Sequence, residues 1–235
     1  MNTLCRLLVL KLLFALTLSW SAAAEAEFVS LFNGKDLTGW KSNEETPGCF
    51  SVVDGNLKVS GGRAHLFYTG NDDEPEIKNF VLKLKVKTQP GANSGVYFHT
   101  QYQAEGWPSV GFESQVNSTH SDPKKTGSLY GVVNVLALAE GKSVPPGSLE
   151  NHLVDKAPST DGEWFNYNIR VNNRKITIRV NGEITAQWTQ PKNFDPKKAL
   201  KNNPGRKLGA GTFALQAHDP KSTTFYKDIM LKILP

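Results

Sequence analysis

Residues 80–87 read Phe-Val-Leu-Lys-Leu-Lys-Val-Lys. Successive side chains of a β-strand point to opposite faces. Phe80, Leu82, Leu84 and Val86 therefore share an inward face, and Lys83, Lys85 and Lys87 an outward one. The same two-residue period returns in Phe165, Tyr167, Ile169 and Val171, and again in Ile176, Ile178 and Val180. Asn181-Gly182 then predicts a tight hairpin turn into Ile184, Ala186 and Trp188, because both central residues of such a turn take positive backbone angles. A strand that buries one face and wets the other must pack its apolar face on something.

Working outward, Phe28 to Phe32 reads as a first strand ended by Asn33-Gly34. Phe50–Val53, Asp54-Gly55 and Asn56–Val59 form a second predicted hairpin. Phe213, Leu215 and Ala217 make another strand face, and Ile229, Leu231 and Ile233 close the chain. No segment carries a long 3.6-residue period. Short strands at regular spacing, separated by turn signals, predict an all-β sandwich. Residues 137–162 and 189–210 are the long loops, punctuated by Pro145-Pro146-Gly147 and Asn203-Pro204-Gly205.

The first 24 of the 235 residues read as a signal peptide. Arg6 and Lys11 supply the positive start, Leu12–Trp20 the apolar core and Ala22-Ala23-Ala24 the small residues for cleavage,. The alternative is an uncleaved anchor, which the well-formed alanine pattern disfavours. Residues 25–235 then form a single domain, exported to the periplasm or beyond, with no membrane contact after cleavage. Cys5 would leave with the signal, so Cys49 has no intrachain disulfide partner. The formal charge of +5 is mild and falls further when Arg6 and Lys11 go. Lys197, Lys198, Lys201, Arg206 and Lys207 read as a solvated loop. Nucleic acid is excluded as a partner on this pattern, because its surfaces interleave cations with aromatic platforms and only Phe194 lies nearby. Oligomeric state has no sequence signal.

The candidate site lies in residues 91–131, GANSGVYFHTQYQAEGWPSVGFESQVNSTHSDPKKTGSLYG. Val96 and Phe98 share one strand face; Tyr97, His99 and Gln101 share the other. In the next run Phe112, Ser114 and Val116 oppose Glu113, Gln115 and Asn117. A Tyr-His-Gln face beside a Glu-Gln-Asn face reads as the floor of a polar ligand site, against the plainer alternative of two solvated faces. Glu113 and Gln115 point the same way, as paired carboxylates do in many sandwich-fold glycosidases. Here the second position is an amide, which cannot act as nucleophile or exchange a proton, so a two-carboxylate mechanism lacks its partner.

His120 follows in a turn-rich loop and suits proton transfer near neutral pH. Gln216 and His218 share a face at the end of the Phe213 strand, and Asp219 either orients His218 or starts the turn before Pro220. Neighbours on a strand point apart, so a His218–Asp219 pair requires the chain to leave the strand there. His99, His120 and His218 with Glu113 or Asp219 could reach a metal, but no short-spaced ligand motif is present. The expectation is no metal and no cofactor. His65 and His152 read as bland. No serine-nucleophile elbow or phosphate loop occurs.

Five blocks, in order, carry a resemblance. They are Leu31–Trp40 (LFNGKDLTGW), Gly91–Thr100, Glu113–His120 with Lys125–Gly131, Gly162-Glu163-Trp164, and Phe213–Pro220. The chain resembles the bacterial 3-keto-disaccharide hydrolase domain family over about Phe28 to Leu234. The resemblance implies a concanavalin A-like jelly-roll of two antiparallel sheets. It also implies exported proteins that cleave glycosides already oxidised to a ketone at sugar carbon 3. Such a ketone acidifies the hydrogen on carbon 2, so one base, one proton donor and donors to an enolate oxygen suffice for elimination, with or without later hydration. On this reading Glu113 or His120 is the base and His218 the acid. Asn93, Tyr97, Gln115 and Gln216 bind hydroxyls or the enolate, with His99 and Asp219 beside them, and Trp107 and Tyr130 stack on a sugar ring. The competing readings are a non-catalytic glycan-binding module and an accessory domain of an envelope assembly; sandwiches host both catalysis and binding.

Overall fold

The computed structural model describes residues 27–70, 75–137 and 157–235. The expected signal peptide with Cys5, the Pro145-Pro146-Gly147 turn and His152 lie outside the described residues. The strands are β1 (Val29–Ser30), β2 (Trp40–Ser42), β3 (Phe50–Val53), β4 (Asn56–Ser60), β5 (Ala64–Tyr68), β6 (Phe80–Thr88) and β7 (Ser94–Thr100). They continue as β8 (Phe112–Val116), β9 (Phe165–Asn172), β10 (Lys175–Val180), β11 (Glu183–Thr189), β12 (Thr212–Ala217) and β13 (Thr223–Ile233). One helical turn, α1 (Pro196–Ala199), interrupts the loop between β11 and β12. No helix among the described residues is long and apolar enough to cross a membrane.

The strands form two antiparallel sheets, the jelly-roll sandwich expected. One sheet runs β11-β10-β9-β6-β13-β4-β3, with β1 added on β13; the other runs β2-β5-β12-β7-β8. The core lies between them. Phe80 of β6 meets Phe98 (ring centroids 5.9 Å apart) and Phe213 (4.9 Å), and Phe112 meets Trp188 (5.7 Å), all edge-on. Edge-to-face contact suits the ring quadrupoles. The inward faces of β6, β9 and β10 are the predicted ones, with Phe80, Leu82, Ile169, Ile178 and Val180 at most 1% exposed. Asp54-Gly55 and Asn181-Gly182 take the positive φ values that their hairpins require.

Three departures have local causes. The pairing of β10 and β11 shifts between Ile178 and Arg179. The extra residue rotates Thr185 inward in place of Ile184, and Thr185 Oγ1 donates to the Gly127 carbonyl (2.9 Å). Ile233 shares its face with Leu231 but reaches past the core and is 48% exposed. The pairing of β7 and β12 also shifts, because Phe98 opposes Phe213 while Thr100 opposes Thr212. His99 is the extra residue, with φ of 54°, and a bulge of this kind re-aims its side chain.

Two buried tyrosines tie the large sheet to the underside of the small one. The Tyr167 hydroxyl bonds Ser114 Oγ (2.8 Å) and donates to the Gln115 carbonyl (2.8 Å). The Tyr226 hydroxyl bonds Ser94 Oγ (2.7 Å). These contacts fix β7 and β8 where the candidate site sits, since buried hydroxyls keep their partners.

Candidate active site

The outer face of β12, β7 and β8 floors a cavity of about 480 Å³. Tyr97, Glu113, Gln115 and Gln216 rise from the strands; Asn93, Trp107, Asp122, Tyr130, Arg206 and His218 reach in from loops. A larger, shallower depression of about 840 Å³ lies on the far sheet among Lys83, Arg170, Lys175 and Arg179. It has no convergent acid–base groups, so chemistry rather than volume selects the first.

Glu113 is the centre of the floor. It is 5% exposed. Arg206 Nη2 donates to its Oε2 (3.2 Å), and Gln216 Nε2 donates to its Oε1 (3.2 Å). With its amide oriented to suit its neighbours, Gln115 also donates to Oε1 (3.2 Å) and to the Ser94 carbonyl (3.0 Å). Gln216 Nε2 also reaches the Tyr97 hydroxyl (3.2 Å). Burial first, then the Glu113 charge, holds the Tyr97 phenol well above its ordinary value, so it stays a neutral hydroxyl. Arg206 Nη1 donates to the Tyr130 carbonyl (2.8 Å), with the guanidinium 5.2 Å from the Tyr130 ring centre.

Glycines make room for this cluster. A Cβ on Gly95 would stand 2.8 Å from Glu113 Oε1 and 3.1 Å from its Cγ. Gly95→Ala is therefore expected to push Glu113 off its partners while leaving both sheets folded. Any turnover at this cavity should fall about a hundredfold, the cost of an ångström-scale misplacement. Kinetics beside a melting curve check this, and unchanged turnover in a folded variant would refute the placement of Glu113. Gly205 does the same for the arginine loop. Its own Cβ would lie 1.8 Å from the Ser109 carbonyl oxygen, and Gly111 N–H donates to the Gly205 carbonyl (3.2 Å).

The second cluster sits at the end of β12. The strand stops at Ala217, so His218 and Asp219 are already free of strand geometry. His218 Nδ1 and Asp219 Oδ2 are 3.0 Å apart. Burial alone would raise the Asp219 carboxyl; hydrogen bonds from Ser222, His218 and the Lys221 amide outweigh it and hold the carboxyl below its usual value. The tautomer that donates Nδ1–H to that carboxylate leaves the His218 Nε2 lone pair free,. His120 stacks edge-on to His218 (5.4 Å), with Nε2 3.8 Å from Asp219 Oδ2. Its Nδ1 accepts from the Asp122 amide (3.0 Å) and lies 3.3 Å from Asn93 Nδ2. Burial, then the neighbouring His218, lowers the His120 pKa.

His120, His218 and Asp219 can each offer one ligand atom within 4.8 Å of the others. The donor set fits a divalent metal poorly. Metal-bound imidazole keeps a proton on its free nitrogen, yet His120 Nδ1 is an acceptor, so Nε2 is the protonated atom.

Of the residues singled out in sequence, the cavity brings together Asn93, Tyr97, Trp107, Glu113, Gln115, Tyr130, Gln216 and His218, with Asp219 and His120 hydrogen-bonded or packed behind them. His99 is not among them. Its bulge turns the ring away, so that Nε2 donates to the Lys78 carbonyl (2.9 Å) and Nδ1 accepts from Gly209 N–H (3.3 Å). Burial pushes its pKa down to about 4, and it is a neutral structural group. Arg206 is not part of a solvated loop; it is 8% exposed and lies on the carboxylate. Asp122 was also missed. It lines the cavity and accepts from the Tyr130 hydroxyl (3.1 Å) and the Lys124 amide (2.9 Å).

Residues 27–232 match the family described as the 3-keto-alpha-glucoside-1,2-lyase-like domain. The chain is 23% identical to a 3-keto-disaccharide hydrolase of Bacteroides thetaiotaomicron, covering 88% of this chain and 78% of that one. In fold it is similar to a proposed glycosyl hydrolase from Parabacteroides distasonis, with a TM-score of 0.63, 22% identity, and coverage of 88% and 94% of the two chains. It is also similar to the carbohydrate-binding module CBM66 from Bacillus subtilis, with a TM-score of 0.51, 10% identity, and coverage of 83% and 96%. With the match spanning nearly all of the described residues, the chain belongs to the 3-keto-alpha-glucoside-1,2-lyase-like domain family.

Proposed function

We propose that the protein cleaves 3-keto-glycosides by removing the proton on sugar carbon 2 and eliminating the group on carbon 1. The observation that carries this reading is the His218–Asp219 pair (3.0 Å) at a cavity whose carboxylates are already committed. Glu113 is held by Arg206 and two amides, and Asp122 by Tyr130 and a backbone amide. A retaining or inverting glycosidase needs one carboxyl free as nucleophile or base and another as acid. Proton removal next to a ketone needs neither.

His218 Nε2 takes the carbon-2 proton, and the electrons move onto the ketone oxygen. This moves the base from Glu113 or His120 to His218, since Glu113 has both oxygens engaged and His120 presents a protonated Nε2. Asn93 and Arg206, whose guanidinium has N–H groups beyond those that hold the Tyr130 carbonyl and Glu113,, are the donors available to the enolate oxygen and the ring hydroxyls, where fixed dipoles act without reorganisation. The enolate then expels the carbon-1 oxygen and a carbon 1–carbon 2 double bond forms. The imidazolium of His218 returns its proton to the leaving oxygen. Water addition at carbon 1, with a proton back to carbon 2, gives net hydrolysis; without it the product is the unsaturated ketone.

The test is release of the leaving group from 3-keto-glycosides by purified protein, with unoxidised glycosides as control. Release from the oxidised substrate alone supports the reading. Glycan binding with no turnover would make the domain a binding module, as CBM66 is named. Residues 1–24 are proposed to direct export. N-terminal sequencing of the exported protein should then begin at Glu25; a chain retaining Met1 in the membrane fraction would contradict it.

A further inference from the structure

The far sheet carries a second surface, the depression of about 840 Å³ on the outer face of β6, β9 and β10. Lys83, Arg170, Lys175 and Arg179 line it, and no Asp or Glu side chain does. The pairing register sets their pattern. Arg170 of β9 lies opposite Val81 of β6 and Thr177 of β10. Lys83, Lys175 and Arg179 each stand two residues along from one of those partners. Each is therefore a diagonal neighbour of Arg170, with backbones about 7–8 Å apart. Lys83 and Arg179 also share a row, one on each side of Asn168, two strand spacings or about 10 Å apart.

Opposite charges set across strands stabilise a sheet. This one has such a pair next door, where Lys85 meets Asp228 (3.0 Å). Around Arg170 it has none: of the four cations, none meets a carboxylate of the described residues. Clustered like charge costs stability through self-repulsion, and a bound anion removes that cost. Groups that suit hydroxyls stand between the charges. Thr177 and Gln187 continue the Arg170 row. The Asn168 and Gln187 side chains make no hydrogen bond to any described residue. Arg179 gives one N–H to the Gly182 carbonyl (3.0 Å) and keeps the rest of its fork. The surface is hollow, and Lys83 covers the Phe28 ring at its side (4.1 Å). It therefore lacks the protruding apolar side chains with which proteins enter a lipid interface. It has one aromatic ring, where a nucleic-acid groove stacks several.

We infer that this face docks an acidic polysaccharide, a chain of uronate sugars whose carboxylates meet Lys83, Arg170, Lys175 and Arg179. Planar guanidinium forks match carboxylates in paired bonds, and the amides between them give and take bonds with ring hydroxyls. The face lies on the opposite sheet from the candidate active site, so the inference does not rest on the cleavage reading. Docking there would keep the protein on an acidic matrix with the cavity facing away from it.

The test is titration calorimetry of the purified protein with polygalacturonate at physiological salt, which screens weak surface attraction. Binding is expected, and it should vanish with the fully methyl-esterified polymer, which keeps the backbone and removes the charge. Arg170→Gln with Arg179→Gln should weaken binding at least about a hundredfold, the effect of two lost charge-assisted contacts. Both side chains are exposed, so the fold should hold, and a melting curve checks it. Lys83→Gln with Lys175→Gln is an independent pair, expected to weaken binding at least about tenfold. Lys197→Gln with Lys198→Gln makes the same change of charge on α1, outside the depression, and should leave binding intact. Equal loss in that control would mean a response to net charge alone and overturns the site. Undiminished binding in both face variants, equal binding of the esterified polymer, or no binding of polygalacturonate overturns it too. Capture of phosphatidylglycerol vesicles or duplex DNA in place of the polymer would assign the face to a membrane or to nucleic acid, and refutes the polysaccharide.

Discussion

Glu113→Gln should lower stability by about 3–5 kcal/mol, because it leaves a guanidinium buried without its counter-ion. The Glu113 and Arg206 side chains are 6% and 10% exposed, with 3.2 Å between their charged atoms. Little water reaches the pair to screen the loss. Turnover should fall at least about a hundredfold as Arg206 relaxes out of the floor. The double variant Glu113→Gln with Arg206→Met separates this account from its rival. Removing both charges should recover most of the lost stability while turnover stays low. Denaturant titration of the wild type and the two variants measures stability, and kinetics on the same proteins measure turnover. If Glu113→Gln keeps full stability and loses only turnover, the carboxylate is the base and not the anchor of Arg206.

His218→Gln should remove most of the activity, about 10²–10⁴-fold, the range for loss of a positioned general base. The fold should be unaffected, since His218 is 30% exposed in its side chain and makes no core contact. The amide retains the size and some hydrogen-bonding reach of the imidazole but cannot carry a proton. Asp219→Asn should cost less and act through His218, because it removes the charge that favours the Nδ1-protonated tautomer. His120→Gln is the paired control, expected to retain turnover within about tenfold. Activity that survives His218→Gln and is lost in His120→Gln exchanges the two roles. Kinetics on a 3-keto-glycoside with circular dichroism of each variant settle it.

Much of the fold was legible because strands write their burial into alternate residues. Phe80 to Lys87 set the inward face of β6, and its neighbours β9 and β10 repeated it. The same rule turned Tyr97, Glu113 with Gln115, and Gln216 each to the polar face of its strand, and the sheet order β12-β7-β8 makes these one outer face. It failed where one inserted residue reset the alternation, at His99 and at Thr185. A bulge has no compositional mark when its extra residue is not glycine. Strands β2 and β5 were missed as well. Ala64–Tyr68 is buried at four of its five positions, so it shows no alternation to read, and His65 looked bland because no acid or amide stands beside it in sequence. Arg206 was unreadable for a different one. It meets Glu113 across 93 positions of sequence, and a lysine-rich neighbourhood disguised it as solvated. The Asn203-Pro204-Gly205 turn and the contact of Gly205 with Ser109 bring it back over the sheet. The His218–Asp219 pair was legible as a condition, that the strand end before it, and β12 ends at Ala217.

The central claim is proton removal at carbon 2, and deuterium reads it directly. A 3-keto-glycoside is cleaved in heavy water by the purified protein, and the sugar product is followed by proton and deuterium NMR. Free 3-keto-sugar without protein gives the background exchange. Elimination followed by hydration predicts one solvent deuterium at carbon 2 for every bond cleaved, and elimination alone an unsaturated product with no hydrogen there. A hydrolysed sugar that keeps its original carbon-2 hydrogen above the background rate would mean direct displacement at carbon 1, and would contradict the mechanism.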